Sequence, residues 1–144
     1  MSNLELNKKL VVAIQKGDLN AVKECVEQGA DVNTFEIGDK LFNPLYGCIV
    51  MKQPKIFAYL VSKGASVTEK LGDKKHSLLY YACTQDNPNI FIIANILENG
   101  GVYDISYAPK GEMSPKDIAK AENNIFLTQA FERAVAKTIK NNRR

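Results

Sequence analysis

The sequence predicts an all-α repeat solenoid made of helix-turn-helix units, on three observations. Amphipathic segments run into glycine three times, in VKECVEQGADVN (22–33), IFAYLVSKGASVT (56–68) and IIANILENGGVY (92–103), and Gly29, Gly64 and Gly100 lie 35 and 36 residues apart. Small residues upstream keep the same register, at Ala13, Cys48, Ala82 and Ala119. Prolines recur where a helix should start, at Pro44, Pro54, Pro88 and Pro115. A fixed period of this length marks stacked units that cannot bury an apolar face alone.

The first helix of each unit is expected in LVVAIQKGDL (10–19), NPLYGCIVMKQP (43–54), SLLYYACTQDNP (77–88) and SPKDIAKAENN (114–124). Asn43, Ser77 and Ser114 are placed to cap three of them, because a short side-chain oxygen accepts from the free N–H groups of the first turn. The small residues in register imply close approach of two helices. Second helices should start after Asp18, Gln53, Asn87 and either Asn123 or Asn124, the last being a long helix from about Ile125. Proline at a first helical position forfeits no hydrogen bond. Glycine at a helix end enters the left-handed region without steric cost. The units then span about 5–33, 34–67, 68–103 and 104–140 within one domain, 1–144, that carries a basic tail over 133–144.

Composition limits what this array can be. The 144 residues are 45% hydrophobic and 24% charged, the balance of a globular chain whose core needs no metal or disulfide staple. MSNLELNKKL has no apolar signal core, and no run approaches the roughly 18 apolar residues of a spanning helix, so the chain is expected to stay in the cytoplasm unless a route without a cleaved signal exports it. Cys25, Cys48 and Cys83 are odd in number and far apart, which fits a reducing compartment and gives no CxxC spacing. The formal charge of +3 is local: Glu132 to Arg144 holds five bases and one acid, a sum of +4, which leaves the first 131 residues at −1.

NPLYGC and SPKDIA resemble the ankyrin TPLHxA motif, and EQGADVN and SKGASVT resemble the ankyrin GADVN ending. The resemblance covers about 5–140 and implies four ankyrin-type repeats of two antiparallel helices, with hairpin or loop fingers between them. Departures are visible. Tyr46, Tyr80 and Asp117 stand where the family usually has histidine, so its usual network of histidine hydrogen bonds must be replaced or lost. Repeat one lacks the TP signature and begins with polar LELNKK, while repeat four ends in polar KTIKNNRR, as terminal caps of a complete array would. Insertions lengthen TFEIGDKLF, before Leu45, and the stretch around Asp86–Asn89.

No catalytic, cofactor or metal site is predicted. His76, the one histidine, lies in a finger just before a capping serine, and one His with three scattered Cys lacks the paired spacing of zinc ligands. ENGGVYD follows a helix instead of opening one, so it is not a phosphate loop. Cys25 and Cys48 sit at apolar helix positions and read as buried, inert thiols.

The resemblance implies a monomeric, non-enzymatic module that binds another protein, as an adaptor or stoichiometric inhibitor. Its contact residues would lie on finger tips and on the inward, concave face of the first helices: Lys40, Phe42, Val50 and Met51 in repeat two, Lys74, His76, Thr84 and Gln85 in repeat three, Met113 and Glu122 in repeat four. Gln15 and Lys16 belong to repeat one. Phe42, Val50 and Met51 would form an exposed apolar centre, unless the insertion holding Phe35 and Leu41 folds back over them. Alternatives are a permanent assembly subunit and a host-directed effector, the latter suggested by 13 Asn and by 16 Lys to 3 Arg, a bias common in AT-rich genomes. Nucleic-acid or membrane association could use Arg133, Lys137, Lys140 and Arg144, which share one helix face, although a solvated terminal helix explains them as well.

Overall fold

The structure, a computed structural model, describes residues 2–143. It is helical, with two short antiparallel hairpins among the described residues, and it forms two compact units that divide between Ser66 and Val67.

The first unit holds α1 (Asn3–Lys16), α2 (Leu19–Glu27), β1 (Phe35–Ile37), β2 (Lys40–Phe42), α3 (Pro44–Met51) and α4 (Pro54–Ser62). Helix α1 starts earlier than its apolar pattern suggests. The Ser2 hydroxyl accepts from the Glu5 N–H at 3.2 Å, and the polar LELNKK stretch forms the first turns with Leu6 and Asn7 buried. Asn7 is tolerated there because its Nδ2 donates to Asp31 Oδ2 at 3.0 Å and its Oδ1 accepts from the Asp31 N–H at 2.9 Å. Helix α1 packs on α2 and α3, and α2 on α4. Ile14, Val22, Cys48, Phe57 and Leu60 fill that core, each large apolar side chain contributing roughly 1.5–3 kcal/mol by burial. Asn33 joins the two loop ends, accepting from the Ser66 N–H at 2.9 Å.

The second unit holds β3 (Lys70–Leu71), β4 (His76–Ser77), α5 (Leu78–Cys83), α6 (Ile90–Glu98), a 3-10 turn (Gly101–Asp104), α7 (Pro115–Ala121) and α8 (Ile125–Asn142). Helix α5 packs on α6 and α7, and α8 on α6 and α7. Leu78, Leu79, Ile92, Ile96 and Leu127 form its core. Its second finger is a loop without strands, following the 3-10 turn.

Most of the expected punctuation is in place. Gly29, Gly64 and Gly100 take φ of +114°, +99° and +106°, as left-handed helix ends require. The side chains of Asp18, Asn43, Ser77, Ser114 and Asn124 accept from the first-turn N–H groups of α2, α3, α5, α7 and α8. Ala13, Cys48, Ala82 and Ala119 are all buried.

Repeat three differs from its expectation. Asn89 caps α6, accepting from the N–H groups of Phe91 at 3.0 Å and Ile92 at 3.1 Å, while Asn87 turns into the left-handed region at φ +52°. Pro88 therefore precedes the cap and is not the first helical residue. The inserted residues are the cause: five positions separate Ala13 from Asp18, Cys48 from Gln53 and Ala119 from Asn124, but seven separate Ala82 from Asn89. Gln53 holds the cap position of α4 without a side-chain bond to it.

Candidate functional site

In the first unit the finger is fixed by its own strand pairing. Phe35 pairs with Phe42, Glu36 with Leu41 and Ile37 with Lys40, and Gly38 takes φ +62° at the tip. Side chains alternate across such a ribbon. Phe35 and Phe42 consequently share a face, their rings 5.4 Å apart, with Phe35 buried and Phe42 half-buried. Leu41 projects from the opposite face and is 72% exposed.

Gly47 explains how the finger meets α3. A Cβ placed there would come within 2.9 Å of Phe42 Cζ, so the ring lies directly on the helix backbone. Helix α3 buries Leu45, Cys48 and Ile49 and turns Tyr46, Val50 and Met51 outward. The insertion thus folds back in part: it covers Phe35 and half of Phe42, but leaves Leu41, Val50 and Met51 exposed, with Lys40 exposed beside them in sequence. Gln15 and Lys16, at the end of α1, are also exposed.

In the second unit His76 is not a finger-tip contact. It is 4% exposed, stacked on Tyr80 with ring centroids 3.6 Å apart, and its Nε2 lies 3.3 Å from Glu112 Oε1. The same carboxylate takes Lys74 Nζ at 3.0 Å, and this ammonium, with His76 second, holds Glu112 below the usual carboxylate range. Tyr107 donates its hydroxyl to the Lys75 carbonyl at 2.8 Å, and Lys70 pairs with buried Asp104 at 2.8 Å. The two finger segments of this unit are thereby tied to each other, and His76 is one of the ties.

Tyr80 and Asp117, which the motif resemblance sets against ankyrin histidines, find local partners. Tyr80 covers His76, and Asp117 completes a capping box in which its Oδ2 accepts from the Ser114 N–H at 3.0 Å and its own N–H donates to the Ser114 hydroxyl at 3.2 Å. That Ser114 N–H keeps the Asp117 carboxyl below its usual range. Of the other expected contacts, Lys74, Thr84, Met113 and Glu122 are exposed, whereas Gln85 is half-buried and donates to the Tyr81 carbonyl at 3.1 Å.

Burial pushes the Cys48 and Cys83 thiols up to about 12 and raises Cys25 as well, and all three are free. Among the described residues no group of three or more His, Cys, Asp or Glu is placed to hold a metal, and no helix is long and apolar enough to cross a membrane.

Arg133, Lys137 and Lys140 are exposed on α8, and Arg144 lies outside the described residues. The helix is less polar than a terminal cap was expected to be, since Ile125, Phe126, Val135 and Ile139 are exposed along it. Two features escaped the sequence reading: the exposed Leu41, which strand alternation could have signalled, and this apolar surface of α8.

No family model matches the chain. Over 61 residues, 42% of its length, the chain is 43% identical to myotrophin of Xenopus tropicalis, an ankyrin-repeat protein. The matched segment is 49% of myotrophin, so the chain spans about half the length of the curated relative it matches. The likeness supports an ankyrin-type character for the part it covers.

Proposed function

We propose that this protein is a non-enzymatic, ankyrin-type module that captures another protein through its fingers and the exposed faces of its first helices, as an adaptor or stoichiometric inhibitor. The observation that carries the reading is the exposure of Leu41, Val50 and Met51 on the first finger and α3, next to a core that is already filled. Val50 and Met51 are neighbours at the end of α3, and exposed apolar groups of this kind commonly mark contact sites. Lys40 is exposed beside Leu41 on the finger, and Lys74, Thr84, Met113 and Glu122 are the exposed first-helix and finger positions of the second unit. Reading the four helix pairs as repeats rests on Ala13, Cys48, Ala82 and Ala119, which recur 35, 34 and 37 residues apart. Three free buried cysteines support a reducing, cytoplasmic setting.

The test is affinity capture from the native cell lysate with the wild type and a Val50→Asp/Met51→Asp variant, alongside thermal unfolding of both. A partner retained by the wild type and lost by the variant, with unfolding within a few degrees of wild type, is the expected result. Recovery of the same proteins by both chains would refute the placement, and so would a large fall in the variant's unfolding temperature, which would make these residues core.

A further inference from the structure

Both second helices of the second unit open with the same tripeptide, Asn89-Ile90-Phe91 and Asn124-Ile125-Phe126. The corresponding starts in the first unit are Asp18-Leu19-Asn20 and Gln53-Pro54-Lys55. Neither capping nor the core explains the Ile-Phe pairs. The asparagines do the capping, the core is filled from Ile92, Ile96 and Leu127, and Ile90, Phe91, Ile125 and Phe126 remain 46%, 70%, 70% and 50% exposed.

Phe91 and Phe126 stand at a groove of about 460 Å³ that runs between α6 and α8. Its relief comes from small residues, Ala94 on α6 and Ala130 and Ala134 on α8, which leave a recess beside Leu97. Its charged groups are Arg133 and Lys137, one turn apart on α8, against Glu98 alone on α6. Lys140 continues the positive charge along the same helix.

We propose that the α6/α8 groove docks an acidic amphipathic helix of a partner protein, a second contact surface that does not depend on the finger site. The α8 wall from Phe126 to Asn141 is about 22 Å long and the α6 wall from Ile90 to Glu98 about 12 Å at the helical rise, so about two turns of a partner meet both walls and further turns follow α8. Both walls are helices whose backbone hydrogen bonds are internal, so an extended peptide would find no ladder to join, whereas a helix brings its own backbone bonds satisfied. Apolar residues of the partner at helical spacing fit the recess at Ala94, Ala130 and Ala134, which lie one to two turns beyond the phenylalanines on their helices. Carboxylates on its flank meet Arg133 and Lys137. A recessed floor suits a convex helix better than a flat lipid surface.

The test uses the full chain and three fluorescent peptides of about 16 residues, with leucines at i, i+3, i+4 and i+7 and with glutamate, serine or lysine elsewhere, in anisotropy titrations. The glutamate peptide should bind most tightly. Phe91→Ser should weaken it by about tenfold or more, and Arg133→Glu/Lys137→Glu should transfer the preference to the lysine peptide. Both variants change exposed side chains, and unchanged circular dichroism verifies that they fold. Failure of all three peptides to bind, equal affinity for all three, or indifference to Phe91→Ser would overturn the proposal. So would sedimentation with phosphatidylserine vesicles in place of peptide binding, which would assign the surface to a membrane, or self-association lost in Phe91→Ser, which would assign it to a second copy.

Discussion

Replacing Gly47 by alanine sets two effects of known size against each other. Alanine in a helix interior is favoured over glycine by about 1 kcal/mol. The new methyl would lie 2.9 Å from Phe42 Cζ, 3.4 Å from its Cε2 and 3.5 Å from Ile14 Cγ2. Only the first distance is too short, so the ring must move while Ile14 stays. Overpacking of this kind costs about 1–3 kcal/mol. The net change in the wild type should lie between nothing and about 2 kcal/mol of destabilisation, the overpacking cost offset by the helix gain. With the ring removed by Phe42→Ala, the same Gly47→Ala change should stabilise by about 1 kcal/mol. The cycle therefore yields a coupling of about 1–3 kcal/mol between two positions five residues apart. With no tryptophan in the chain, urea unfolding is followed by helical circular dichroism, and midpoints are compared at unchanged m. If Gly47→Ala stabilises both backgrounds equally, Phe42 does not rest on α3, and the finger lacks the anchor that holds Leu41 outward.

Two further outcomes are expected. Glu112 titrates below its ordinary value of 4.5 in the folded chain because Lys74, and then His76, favour its charged form; its stabilising contribution is complete above that value and is lost as pH falls through the folded one, so Glu112→Gln should flatten the acid limb of a stability–pH curve measured by urea midpoints, and parallel curves would mean the ion pair does not hold in solution. Cys48 and Cys83, buried and pushed up to about 12, should react with Ellman's reagent at pH 8 only as fast as their units open, so single-cysteine variants report the first and second units separately, and stoichiometric reaction on mixing would contradict their burial.

What the sequence showed, it showed through local chemistry. Asn43, Ser77 and Ser114 cap helices because the bond each makes spans three residues, and Gly29, Gly64 and Gly100 end helices because only the backbone angle of that residue is at stake. The failure in repeat three is local as well. Pro88 and Asn89 both carry helix-start signals, and two extra residues in the turn let Asn89 reach two N–H groups while Asn87 absorbs the left-handed angle. Proline preference is a weaker bias than two formed hydrogen bonds.

The candidate site was less legible because exposure is decided at long range. His76 is buried by Tyr80, four residues away, and by Glu112, 36 residues away, and nothing in the heptapeptide around it announces that carboxylate. Leu41 was within reach, since a ribbon that buries Phe35 with Phe42 must turn residue 41 the other way.

The two apolar surfaces differ in what surrounds them. Residues 1–131 sum to −1, so Leu41, Val50 and Met51 belong to a nearly neutral part of the chain, and selectivity there must come from shape and apolar fit. The α6/α8 groove carries Arg133 and Lys137 on the helix that contains most of the chain's net charge. At physiological salt, where charges are felt over only about 8 Å, that charge acts on a partner already close to α8. The positive balance read from composition is therefore confined to residues 132–144, and two of its five bases, Arg133 and Lys137, stand in the groove, where they select by charge what the residues exposed on the first finger and α3 must select by apolar fit.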